Sequence, residues 1–262
     1  MDLFLYLGNY IFNKILLILI NSTKNLEIMK LNFQCSKCFM ENITTNNFVQ
    51  IQEDDLYEFH CTKNHRNIYF VNNEKFELLI ESAINAIIDG YYREVISAMV
   101  ASLERLQEFV INIILKKNNF TQNQFLTAWK TVRRHSESQL GSFTFTYFLE
   151  FRELPDSLSE NEKAFRNNVI HNGYFPSYDE TLIFGQRILD IIYNILKKLR
   201  DTSENIIREY AVEESKIKLQ MIEDRGESPF TYQMRNIINL HWDISSFKKN
   251  DLKEYIKTLS LK

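Results

Sequence analysis

"YYREVISAMVASLERLQEFVINIILKK", residues 91–117, decides the fold. Apolar side chains recur every three or four positions along it, charged residues fall between them, and two lysines close it. That period gathers the apolar residues on one face of an α-helix. Basic residues in a last turn suit the negative end of the helix dipole. So long an apolar stripe needs other helices to cover it, and the composition supplies them. The 262 residues include only 6 Gly and 3 Pro, too few for the turns of an all-β chain. The apolar fraction is 45%, with 20 Phe and 13 Tyr, enough for a proper core. The expected fold is mainly α.

Helical patterns continue on both sides. "NEKFELLIESAINAIIDG" (73–90) ends on Gly90, a plausible helix stop. "TQNQFLTAWKTVRRH" (121–135) opens with Thr121 and Gln124 at capping-box spacing, as do Ser159/Glu162 and Ser177/Glu180 further on. "SESQLGSFTFTYFLEF" (136–151) fits helix or strand by period, and its helical neighbours favour a buried helix. The longest helical pattern is 176–224, with Asp179 and Glu180 in its first turn. Upstream the period changes. "KLNFQCSKCF" (30–39) and "LYEFHCTKNHRNIYFV" (56–71) read as short strands, joined by a polar, loop-like link. The expected organisation is an apolar extension over 1–28, a small β region over 30–72, a helical domain over 74–225, and a tail over 226–262 with a short helix near 249–259. Trp129 and Trp242 are expected to pack.

The three cysteines are Cys35, Cys38 and Cys61. An odd, clustered set argues against a disulfide framework and fits a reducing, cytoplasmic compartment. Cys35-x2-Cys38 and Cys61-x3-His65 form two pairs, 22 residues apart, each at a turn or strand edge. Two short hairpins that bring together three thiolates and an imidazole make a zinc ribbon. Closed Cys3His coordination is structural rather than catalytic. His60 is the rival fourth ligand, but it neighbours Cys61 on a strand and points to the opposite face.

"LFLYLGNYIFNKILLILI" (3–20) is apolar but interrupted by Asn9, Asn13 and Lys14. It lacks the basic start and cleavage site of a secretory signal, and falls short of about 20 clean apolar residues for a span. "MKLNFQCSKC", from Met29, reads like a natural beginning. Membrane attachment is not expected. A membrane-tethered interaction protein is the reading that residues 3–20 would support. The net charge of −3 offers no global field for nucleic acid, so any RNA contact must come from a local patch. The densest basic run is Lys130, Arg133, Arg134 and His135, which could track a phosphate backbone but reads more readily as a solvated helix face.

"FRNNVIHNGYFPS" (165–177) is the odd segment. At about 100° per residue from Phe165, Val169 falls near ~40°, Arg166 near ~100° and Ile170 near ~140°. Asn167 and His171 share a polar face near ~200–240°. Arg166 therefore lies on the apolar arc, where an unpaired guanidinium is costly. The bland expectation is a buried pair with Glu94, Glu104 or Glu108 and a helix-end histidine before Gly173. Tyr174 reads as an RNA contact, as a modified regulatory tyrosine or, most simply, as a packing residue.

The same segment, with the long helix before it, resembles the HEPN superfamily of small helical proteins. Its signature is an arginine, a polar residue, a spacer and a histidine, matched here by Arg166, Asn167 and His171. The preceding family helix often carries a glutamate near the position of Glu104. With the Cys-x2-Cys…Cys…His ribbon in front, the chain resembles uncharacterised bacterial HEPN proteins over residues 30 to 200. The resemblance implies a HEPN-like helical bundle and a homodimer whose two motifs face each other. It also implies a metal-independent endoribonuclease acting on single-stranded RNA or tRNA, of the toxin or phage-defence kind, with an antitoxin or defence partner. Arg166, Asn167 and His171 would be catalytic, with Arg133, Arg134 and Tyr174 as weaker RNA contacts. The only metal implied is structural zinc on Cys35, Cys38, Cys61 and His65. The residue types fit: histidine titrates near neutrality, and arginine stabilises charge on phosphate. The alternative is a non-catalytic HEPN module that binds nucleic acid or protein, with the ribbon as its contact surface.

Overall fold

The computed structural model describes residues 30–50, 52, 56–223, 230–232, 237–240 and 249–260. The apolar stretch 3–20, Met29, Gly226 and Trp242 lie outside these. The described chain is mainly α, with one short helix inside a small β region and seven helices after it. Its contacts separate two units, one up to Phe70 together with Phe230, the other from Val71 onward.

In the first unit, β1 (Lys30–Phe33) pairs antiparallel with β2 (Asn47–Gln50), Leu31 opposite Val49. A second sheet has the order β3 (Leu56–His60), β4 (Arg66–Val71), β5 (Phe230–Tyr232). Strand alternation sends Tyr57 and Phe59 inward and leaves Glu58 and His60 exposed. Phe33 meets Tyr57 and Phe59 at ring-centroid distances of 4.9 and 5.6 Å. The sequence reading differs from the structure in two places. The first strand stops at Phe33, and the chain coils into the single turn α1 (Ser36–Met40), where Phe39 N–H donates to Cys35 C=O. The link expected to be loop contains β2, whose first residue, Asn47, is buried and donates from its side chain to Phe33 C=O at 2.8 Å. Asparagine is a poor strand former by propensity, and this buried hydrogen bond overrides that preference.

The second unit is built on α3 (Tyr92–Lys117), which packs against α2 (Lys75–Ile88), α4 (Gln122–Val132), α5 (Ser136–Phe151), α6 (Glu160–His171) and α7 (Tyr178–Glu223). Val95, Met99, Leu106, Val110 and Ile113 of α3 are wholly buried. The ambiguous stretch 136–151 is helix α5, with Phe143 and Tyr147 inside. Helices α4, α6 and α7 begin at Thr121, Ser159 and Ser177, each in a reciprocal bond with the residue three on. Helix α2 has the same box, built from two glutamates, Glu74 and Glu77. Helix α7 is interrupted at Ser203 (φ −142°, ψ 21°). There Thr202 Oγ1 donates back to the carbonyls of Lys198 and Leu199, a local competition of the kind that bends helices. The last helix, α8 (Leu252–Ser260), packs on α7. No described helix is long and apolar enough to cross a membrane.

Two contacts fix α6, the helix that carries the odd segment. At its start, Arg187 of α7 grips Asp156 through both carboxylate oxygens (2.6 and 3.0 Å) and reaches Glu162 at 3.3 Å. At its end, Arg93 of α3 donates to Ile170 C=O, and the N–H groups of Asn172 and Tyr174 both turn onto Asn168 C=O. Gly173 makes that turn possible, at φ +74°.

Burial holds two carboxyls of α2 near neutrality. Glu81, with one oxygen buried and unpaired among the described residues, is pushed up to about 7. Glu77 is pushed to about 7 by burial, against donors from Leu240, Glu74 and Asn73. An unfolded glutamate ionises near ~4.3. Between about pH 4.5 and 7 the folded state therefore holds protons that the unfolded state has lost, and stability falls as pH rises through that window. Glu81→Gln should remove its share, at most about 4 kcal/mol. Urea denaturation should show little difference from wild type near pH 4.5 and a more stable variant at pH 8.

Candidate functional site

The first site lies wholly in the β unit. Cys35 precedes α1, Cys38 lies within it, and Cys61 and His65 bracket the β3–β4 turn. Their donor atoms all fall within 4.8 Å of one another. Cys38 Sγ is 3.8 Å from Cys61 Sγ and 3.5 Å from His65 Nδ1, and Cys35 Sγ is 3.7 Å from the same nitrogen. A disulfide would need a separation near ~2.05 Å. Zn–S near 2.3 Å and Zn–N near 2.05 Å place tetrahedral ligands ~3.8 Å (S···S) and ~3.6 Å (S···N) apart. The three spacings given match edges of that tetrahedron. The three sulfurs are buried and His65 is half-buried, so the shell is closed on the protein side.

The neighbouring groups prepare the thiols for a cation. Burial opposes ionisation of Cys35, but Cys38 N–H, His65, Asn67 and Cys61 outweigh it and bring the thiol down to about 6. Cys38 is pushed up to about 11 by burial, with the two other thiols adding to the shift. One sulfur thus carries charge readily while the other resists a second charge beside it. A metal ion removes that conflict. Asn67 accepts from Ser36 N–H and donates to His65 C=O, tying the two halves of the cluster together. The four side chains can hold a structural metal such as zinc. His60 is exposed on the other face of β3 and takes no part.

The second site is the end of α6. Arg166 does not form the expected buried pair. Glu108 bonds Arg105 and Glu94 lies beside Arg93, while Arg166 has no acidic partner among the described residues. Its Nη1 instead donates to Asn167 Oδ1 at 2.9 Å and lies 3.5 Å from His171 Nε2. The wheel separates Arg166 and His171 by about 140°, but the guanidinium stem is long enough to cross it within one chain. Val169 and Phe165 anchor the opposite face: Val169 is fully buried, and Phe165 packs on Phe184 at 5.4 Å. Asn167 and His171 are exposed and Arg166 half-buried, so all three groups can be reached from solvent.

The other sequence candidates lie elsewhere. Arg133 and Arg134 are exposed in the α4–α5 connection and form no ion pair among the described residues. Tyr174 donates its hydroxyl to Glu180 Oε1 at 2.9 Å, and that carboxylate raises the pKa of the phenol. Trp129 packs in the core, on Phe125. Sequence reasoning missed a cavity of about 430 Å³ beside α6, walled by α3, α5 and the 154–158 loop and rimmed by Arg166 and Asn167. Its buried polar member, Gln107, sits within the apolar stripe of α3 and breaks its period; that irregularity was the available signal.

No protein-family model, curated protein or solved structure matches the chain.

Elemental analysis of purified protein should find about one zinc per chain, as a single closed site requires. Cys38→Ser and His65→Ala should lose it, and His60→Ala should keep it. Retention of full metal by His65→Ala would mean that the fourth ligand had been misassigned.

Proposed function

We propose that the chain is a metal-independent endoribonuclease of the HEPN type, working as a homodimer in a toxin or phage-defence role, with zinc holding the β unit. One observation carries the reading: Arg166, Asn167 and His171 meet at the exposed end of one firmly anchored helix, although nothing about packing requires them there. The His171 imidazole would take the proton of a ribose 2′-hydroxyl as its oxygen attacks the adjacent phosphorus. Arg166 would neutralise the charge that builds on the phosphate oxygens. Asn167 holds the guanidinium, which makes it a positioning residue for Arg166 rather than for the imidazole. Cleavage of the P–O5′ bond would leave a 2′,3′-cyclic phosphate and a 5′-hydroxyl. The departing oxygen needs a proton, and the second imidazole of a facing copy would supply it. Zinc, when bound, would cross-link the two halves of the ribbon and take no part in the cleavage.

A second reading is a non-catalytic module that binds RNA or protein through the ribbon. Its support is apolar side chains left in solvent on the β unit: Phe39 and Met40 of α1, beside Cys38, and Phe48 of β2. Exposed aromatics can stack on unpaired bases or anchor a partner.

The test is cleavage of total RNA with no added divalent ion. Wild type should produce cyclic-phosphate ends, and Arg166→Ala and His171→Ala should each lower the rate by roughly 100-fold or more, the usual scale for loss of a general base or a charge stabiliser. If wild type is as inert as both variants while still binding RNA, and Phe39→Ser with Met40→Ser abolishes that binding, the second reading replaces the first.

A further inference from the structure

The cavity beside α6 is not explained by the proposed chemistry. Its walls are largely apolar, with Leu103, Leu140, Phe143 and Leu158 among them, and at about 430 Å³ it falls within the size range of small-molecule sites. Two polar residues of α3 break the apolar wall. Glu104 and Gln107 stand three apart, which puts them side by side on the helix surface. Gln107 is only 7% exposed, Glu104 is half-buried, and neither side chain makes a hydrogen bond among the described residues. Neither is among the buried polar atoms left without a partner, so the polar atoms of both are reachable from the cavity and can meet a ligand. Arg166 and Lys163 line the same cavity and supply positive charge.

The donor pattern selects the ligand. A carboxylate accepts only, and is best matched by two parallel N–H groups; an amide placed next to it can donate. Guanine presents that sequence along its Watson–Crick edge: two adjacent donors, N1–H and the 2-amino group, then the O6 acceptor. Adenine and cytosine offer one amino donor beside acceptors, and uracil a single N–H between two carbonyls. The apolar walls suit the faces of a flat ring, as in recognition of unpaired bases. We infer that the cavity binds a guanine base, with Glu104 taking N1–H and the 2-amino group and Gln107 donating to O6. The guanine is that of a single-stranded RNA, a step that rests on the proposed cleavage. Arg166, which lines this cavity and touches His171, would then place the phosphate next to the bound guanosine at the imidazole.

The binding test uses guanosine, adenosine, cytidine and uridine 5′-monophosphates titrated into the full chain by calorimetry. The guanine nucleotide should bind on the order of 10-fold more tightly than the others, the discrimination of one good bidentate pair. Glu104→Gln should erase that preference while leaving the thermal unfolding transition in place. Leu140→Trp, at a partly exposed wall position, should block all binding by filling the cavity, and serves if the first variant does not fold. Equal or absent binding of the four nucleotides, or an undiminished guanine preference in Glu104→Gln, would overturn the inference. Mapping the RNA ends separates the two proposals. Cleavage without guanine preference removes the pocket and keeps the nuclease; guanine binding that depends on Glu104, without cleavage, keeps the pocket and removes the nuclease.

Discussion

The apolar surface of α3 cannot be left in water, and the rest of the helical unit follows from that. Helices α2, α5, α6 and α7 each bury part of it. Because α6 must lay Val169 and Phe165 against this core, its opposite side is forced outward, carrying Asn167 and His171. The site is a by-product of packing in that sense. The two arginines that pin α6, Arg187 at its start and Arg93 at its end, then convert a rough placement into a fixed one. The proposed action on a phosphate would need this kind of support from elements that do not themselves react.

Much of this was legible from residue order. Helix period and capping pairs located α2 to α7, since three- and four-residue spacing and a Ser or Thr three before Glu or Gln are local signals. The Cys3His set was legible for the same reason: ligand spacing is nearly a local property, and His60 could be set aside by strand alternation alone. What could not be read depended on side-chain reach or on distant partners. Arg166 looked stranded on an apolar arc because a helical wheel records where a stem begins, not where a guanidinium ends. Asp156 and Arg187 are 31 residues apart, and no pattern in either neighbourhood announces the other. The β2 strand was hidden because Asn47 is stabilised by Phe33, on another strand, rather than by its own propensity.

The cluster in the β unit and the cavity in the helical unit differ in how they manage buried polar groups. In the first, every ligand has a polar neighbour, since thiols, imidazole and Asn67 contact one another. In the second, Glu104 and Gln107 have none among the described residues and turn their polar atoms to the cavity instead.

All four candidate ligands come from the β unit, and none from the helical one. An ion bound there favours the folded form by mass action, with a contribution that grows as the logarithm of its free concentration over its dissociation constant. The helical unit answers to a different variable, proton activity, through Glu77 and Glu81. With a metal bound, one polypeptide would carry two chemical potentiometers in separate parts of its length, one reading the supply of that ion and the other the acidity of its surroundings.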